Sequence, residues 1–298
     1  MLRRWIVVAA LSGVVALRPV AGAADDVHDQ APVAASAWPR LSTGPLQDNS
    51  FFLEEAYNQE AGVVQHIGGA LRDQRTHRWV ATFTQEWPLF GATHQLSYLV
   101  PYEKGGDGEG ESGAGDVLLN YRYQLLFEGP RRPACAPRVS LILPTGSARK
   151  GLGTGSAGVQ ANVAVSKQID EHWAAHLNVG TTFVPNAYAS SGPPRRERLT
   201  SWQGGGSVIW EPADAINLLC EVIASDDAEV GLHGINRATH MVVSPGIRVA
   251  WNGPAGTQWV WGIASPIGLT RKTDDLGLFL YFSLEHAFTA AAQRARWP

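Results

Sequence analysis

Sulfur is scarce in this chain, with two Cys and two Met among 298 residues. Cys135 sits in a Pro-flanked turn and Cys220 inside an apolar strand pattern, contexts that argue against a disulfide between them without forbidding one in an oxidising compartment. No Cys-x-x-Cys, Gly-x-Ser-x-Gly or His-Glu-x-x-His occurs, so the common redox, serine-hydrolase and zinc-protease signatures are missing. Positive charge shows no excess either. A formal net charge of -3 gives no basic footprint, and nucleic acid is excluded as an expected partner. Long apolar runs are also absent. The longest, Trp5 to Leu17, falls short of the roughly 20 residues of a spanning helix. No transmembrane helix is therefore expected, and the membrane architecture left open is a closed β-barrel, in which strands satisfy one another's backbone groups.

What is present fits that architecture. Arg3 and Arg4 precede the apolar run, and Ala21-Gly22-Ala23 follows it, the pattern of an export signal over residues 1–23 with Ala24 as the mature N-terminus. No Cys follows the cleavage site, which argues against a lipid anchor. Gly 32 and Trp 11 suit a β protein with many turns and interfacial aromatics. From Gly277 to Phe288, Leu278, Leu280, Phe282, Leu284 and Phe288 share one parity, while Tyr281, Ser283 and Glu285 take the other.

Period-two segments of this kind recur about twelve times: 62–71, 78–87, 93–102, 115–127, 136–143, 158–168, 173–184, 200–210, 216–224, 239–251, 257–265 and 277–288. Links after odd-numbered segments are long and rich in Gly and charge, as in 103–114, 144–157, 185–199, 225–238 and 266–276. Most links after even-numbered segments are tight; 127–136, stiffened by Pro130 and Pro133, is longer. Long loops at one end and short turns at the other is the outer-membrane asymmetry. Trp87, Phe127, Trp173, Trp210, Trp251, Trp259 and Phe288 gather at the short turns, and Trp79, Tyr102, Phe183 and Trp202 near the long loops. A soluble sandwich has no reason to collect rings at one side. The expected fold is all-β: an antiparallel up-and-down transmembrane barrel of about 12 strands over 62–288.

The polar parity then names the lumen, with Glu86, Asp116, Arg122, Arg138, Glu221, Arg248 and Glu285 as its candidate lining charges. Two readings stay open. The charges pair to fill a sealed barrel, because isolated buried charges are costly, or they line a narrow polar path. Twelve strands lie between the packed eight-stranded barrel and the open sixteen-stranded porin and do not decide it.

Residues 24–48, rich in Ala, Pro and Asp, read as a disordered periplasmic leader, too short for the plug domain of an energy-coupled receptor, so transport is expected to be passive. Residues 49–61 are too acidic for a lipid-facing strand and too apolar for a free tail. Phe51, Phe52 and Tyr57 are candidate gate residues if this segment tucks into the barrel mouth; a strand extension or a short helix capping the base is the equal alternative. Residues 289–298 form a C-terminal tail. The Lys150–Gly158 stretch reads as an outer loop, since it lacks the Gly-Lys-Ser/Thr ending of a phosphate loop. The nine histidines are scattered, and neither a metal nor another cofactor is expected. A lipid-hydrolysing barrel would need an outward Ser–His pair near the outer rim. The outward histidines His94 and His286 map to the opposite end, so the chain is not expected to be an enzyme.

Several blocks carry a resemblance. Asn49-Ser-Phe-Phe-Leu-Glu-Glu-Ala-Tyr-Asn-Gln-Glu-Ala-Gly-Val-Val-Gln-His66, Gly115-Asp-Val-Leu-Leu-Asn-Tyr-Arg-Tyr-Gln124, Leu141-Ile-Leu-Pro-Thr-Gly146 and Gly155-Ser-Ala-Gly-Val-Gln160 are similar to outer-membrane proteins grouped as transporters of the meta-pathway of phenol degradation. The likeness spans roughly residues 49 to 288. It implies a β-barrel in the bacterial outer membrane that passes small hydrophobic or aromatic solutes, with outer-membrane lipid and the barrel-assembly machinery as further partners. It supplies no catalytic residues. The chain departs from the family in continuing past Phe288, so recognition by the assembly machinery would rest on Phe288 internally or on Trp297. A sealed structural or adhesion barrel, acting through charged loops such as Arg195-Arg196-Glu197-Arg198 and Asp226-Asp227-Ala228-Glu229, is the alternative.

Overall fold

Alternation of apolar and polar side chains closes this chain into a ring of strands. The computed structural model describes residues 46, 50–105, 111–189, 193–253, 256–270, 273 and 276–296. The expected signal (1–23), almost all of the leader and Trp297 lie outside the described residues.

Twelve long strands form the wall: β1 Val63–Asp73, β2 Trp79–Leu89, β3 His94–Lys104, β4 Val117–Tyr123, β5 Ala134–Leu143 and β6 Gly158–Gln168. They continue as β7 Trp173–Tyr188, β8 Arg196–Ala213, β9 Ile216–Val230, β10 Ile235–Gly253, β11 Thr257–Ala264 and β12 Gly277–Ala287. Two-residue pieces, Gly113–Ala114 and Ile267–Gly268, extend the wall beside β3 and β10. Every strand pairs antiparallel with its sequence neighbours, and β12 returns to β1 in the register Val63↔Ala287 through Asp73↔Gly277. The sheet has no free edge. This is the antiparallel up-and-down barrel the alternation predicts.

Side chains are distributed inside out relative to a water-soluble protein. Arg248, Glu221, Asn162 and Ser283 are buried at 1% exposure or less, while Leu177 and Trp261 are 62% and 60% exposed on the outer face. Such a surface is unfavourable in water at about 25 cal/mol per Å² and favourable against lipid tails. No described helix is long and apolar enough to cross a membrane. At the short-turn end, Trp173 and Trp210 stack at 6.2 Å between ring centroids across β7 and β8.

The wall is uneven. β7 to β10 run 15 to 19 residues, and the other strands 11 or fewer. The expected loops 185–199 and 225–238 are accordingly corrected: strand continues to Tyr188 and resumes at Arg196, and β9 runs to Val230 before β10 starts at Ile235, with Asp226 to Glu229 paired in a strand. Polar residues occupy both faces there, so period two vanishes from the sequence although the backbone ladder continues. The 3₁₀ turn Ala148–Lys150 lies in the β5–β6 loop. The tail turns into α1, Ala290–Arg296, whose Ala292 packs with Val63 and Ala287 at the barrel base.

Candidate functional site

The lower lumen, at the short-turn end, is filled by the chain's own residues 50–60. This segment has no strand partner, yet its backbone is hydrogen-bonded almost residue by residue to wall side chains. Glu221 Oε1 on β9 accepts from the N–H groups of Phe52 at 2.9 Å and Leu53 at 3.1 Å. Asn178 on β7 accepts from Glu54 N and donates to Glu54 O. Ser166 on β6 accepts from Ala56 N at 2.7 Å, and Gln124, just past β4, donates to Ala56 O and accepts from Asn58 N. Gln95 on β3 accepts from Gln59 N at 2.7 Å. Inward Ser, Asn and Gln thus take the place of a neighbouring strand, satisfying groups that are costly to bury unpaired.

Charge fixes the middle of the segment. Arg138 on β5 grips Glu54 with two nitrogens, at 2.8 and 3.1 Å. Arg122 on β4 donates to Asn58 Oδ1 at 2.8 Å and Tyr57 O at 2.7 Å, and lies 3.9 Å from both Glu54 and Glu86. Glu86 accepts from Gln95 at 2.7 Å. Tyr57 donates its hydroxyl to Glu128 in the β4–β5 turn, where Lys167 also reaches that carboxylate. Chain flanking this stretch is held too: Leu46 N donates to Asp214 O at 2.9 Å in the β8–β9 turn.

Of the candidate lining charges, Glu86, Arg122, Arg138 and Glu221 converge on this segment. Arg248 is buried on the wall opposite Asn217 in register, and Glu285 stands opposite Gln65. Asp116 stands apart: it accepts from Gly146 N, Thr154 N and the Thr154 hydroxyl, stapling the β5–β6 loop. Phe51 and Phe52 lie against Phe279 and Tyr281 at mid-height. Composition hides the roles of Gln95 and Glu54. Inward parity is the signal that could find Gln95, and a carboxylate matched to two inward arginines the one that could find Glu54.

Above the segment the lumen changes character. Leu118, Ile142, Val184 and Leu199 cluster on one side of the wall, and Ala264, Phe279 and Tyr281, with Ile67 and Leu71, on the other. Between segment and wall lies a mostly apolar cavity of about 210 Å³, bordered by Phe51, Phe52, Leu99, Leu118, Ile223, Val242 and Phe279, with Ser97, Asn120, Glu54, Glu86, Arg122 and Arg138 on its polar side.

Among the described residues no Ser–His pair forms at the outer rim. His94 bonds the Tyr121 hydroxyl at 2.6 Å and His286 stacks on His66 at 5.3 Å. The close Ser–His contact, Ser166 to His176 at 2.7 Å, is inside the lumen, with Ser166 already bound by Ala56 N–H. Among the described residues no group of three metal-ligating side chains gathers, and both cysteines are free.

The chain is similar to the COG4313 outer membrane channel from Pseudomonas putida F1, with TM-score 0.61 and 14% identity over 81% of this chain and 99% of that one. The fold is that of an outer-membrane barrel. The NanC porin, with TM-score 0.48 and 7% identity, covers 75% of this chain and 98% of its own. The KdgM porin, with TM-score 0.45 and 6% identity, covers 76% and 99%. No family model matches the chain, and no curated protein matches it. The likeness to the phenol-degradation transporters therefore rests on the four sequence blocks quoted above.

Proposed function

We propose that this chain is a passive channel of the bacterial outer membrane, not an enzyme, that admits small apolar or aromatic solutes through a narrow lumen gated by residues 50–60. The observation that carries this reading is the division of the lumen. An apolar cavity faces the loop end, and a polar zone plugged by a tethered segment faces the turn end. The segment is anchored by side chains alone, so it can leave without breaking the barrel ladder. Phe51 and Phe52 form the gate's tip, Tyr57 its lower anchor, and Glu86, Arg122, Arg138 and Glu221 its holders. Export by residues 1–23, insertion by the assembly machinery and a lipid annulus around the outward Trp and Leu residues belong to the same proposal.

Uptake by proteoliposomes tests it. Wild-type protein should pass a neutral aromatic solute faster than a sugar of equal size, and deleting Phe51 to Gln59 should raise both rates and erase the preference. If the deletion leaves uptake by the inserted barrel unchanged, the gate is wrong. A sealed barrel acting through its outer loops is the second reading, favoured by the many hydrogen bonds that hold residues 50–60 in the lower lumen; it predicts no uptake from either protein.

A further inference from the structure

The wall is cut away where Phe51 sits. Gly246 on β10 and Gly262 on β11 lie behind the ring, and a Cβ at either position would come within 2.5 Å of a Phe51 ring carbon. The Phe279 and Tyr281 rings close the flank, with centroids 5.5 and 5.3 Å from that of Phe51 and tilted by 56° and 48°. Tilted contacts at this spacing are those aromatic pairs favour over face-to-face stacking. The result is a socket shaped for one six-membered ring, with two glycines for a floor and two aromatic side chains for a wall, open to the mid-lumen cavity that Phe51 itself borders.

We propose that this socket is a binding subsite for a small neutral aromatic solute, and that Phe51 is its tethered occupant. The inference deepens the channel reading and rests on it. An aromatic solute collecting in the apolar cavity meets a site already fitted to its ring and competes with Phe51 for it. Solute binding and withdrawal of the segment's tip then become one event. Because a ligand shifts an equilibrium only by its differential affinity for the two states, the solute opens the gate in proportion to its preference for the vacated socket. The groups in contact with the ring, two glycines and the Phe279 and Tyr281 side chains, carry no charge, which suits a neutral ring.

The test uses the full chain refolded into nanodiscs, with fluorobenzene as the probe and its ¹⁹F spectrum as the readout. In the Phe51→Ala variant the socket stands empty, and fluorobenzene should bind at least tenfold more tightly than to wild type, where the native ring competes. Adding Gly262→Ala to that variant should abolish the gain, and Phe279→Ala in its place should weaken binding without filling the floor. Resistance of the folded barrel to SDS, read from its gel shift on heating, establishes that each variant is folded. Equal affinity of wild type and Phe51→Ala, or a gain untouched by both second substitutions, would overturn the proposal. Failure here is separable from failure of the channel reading. Deletion of Phe51 to Gln59 that opens the pore, with no aromatic binding in Phe51→Ala, removes the socket alone; binding in a barrel that passes no solute with or without the segment removes transport alone.

Discussion

The two halves of the lumen share one wall and one parity but differ in what they must satisfy. The turn-end half encloses a backbone without a strand partner, and the wall there supplies Gln95, Gln124, Ser166, Asn178 and Glu221 to meet it. Among the described residues, the loop-end half holds such backbone only where Asp116 meets Gly146 and Thr154 of the β5–β6 loop, and its other inward positions carry Leu99, Leu118, Ile142, Val184 and Leu199. β4 shows the change within one strand, as Leu118, Asn120 and Arg122 step inward from apolar to amide to cation. The interior of a barrel is polar where something polar has to be held.

Substitutions in the two halves should therefore fail differently, and the largest effect is expected in the polar one. Arg138→Ala removes the two-point grip on Glu54 and leaves that part-buried carboxylate with only Arg122, at 3.9 Å, beside it; losing one partner of a fully buried pair costs about 3 to 5 kcal/mol, an upper bound here. The segment should leave the lumen, and a Glu-specific protease added to the protein in bilayers should cut after Glu54 at least tenfold faster than in wild type. Glu221→Ala strands the N–H groups of Phe52 and Leu53, about 1 to 3 kcal/mol each. Cleavage should rise by less than for Arg138→Ala, and Glu221→Gln, which keeps an acceptor in place, should restore most of the protection.

A change in the apolar half should leave the seal alone. Leu118→Asn places an amide beside the cavity without touching residues 50–60, so protease resistance should match wild type while uptake of a neutral aromatic falls several-fold. The smallest effect belongs to Asp116→Ala. Its three hydrogen bonds hold the β5–β6 loop, and their loss should raise hydrogen exchange at Gly146 and Thr154 with uptake and cleavage unchanged.

How much of this was legible in the sequence follows from the same contrast. Period two places all twelve strands, because one face meets lipid and the other does not. It falls silent at the loop end, where β7 to β10 carry polar residues on both faces, and so period two predicts loop on the tall side of the wall. Inward Glu86, Arg122, Arg138 and Glu221 were readable as lumen groups from parity alone. Their common partner was not, since residues 50–60 have no alternation and bond to the wall through side chains at sequence separations as large as 169. The glycines behind Phe51 were equally silent. A missing side chain gives no pattern until the ring that fills its place is seen.

Whether residues 50–60 close the lumen is read from single-channel conductance of the folded barrel in planar bilayers, with and without Phe51 to Gln59. The full chain should give brief or very small steps, and the deleted one steady steps several times larger. Equal conductance from two folded, inserted proteins would contradict that closure.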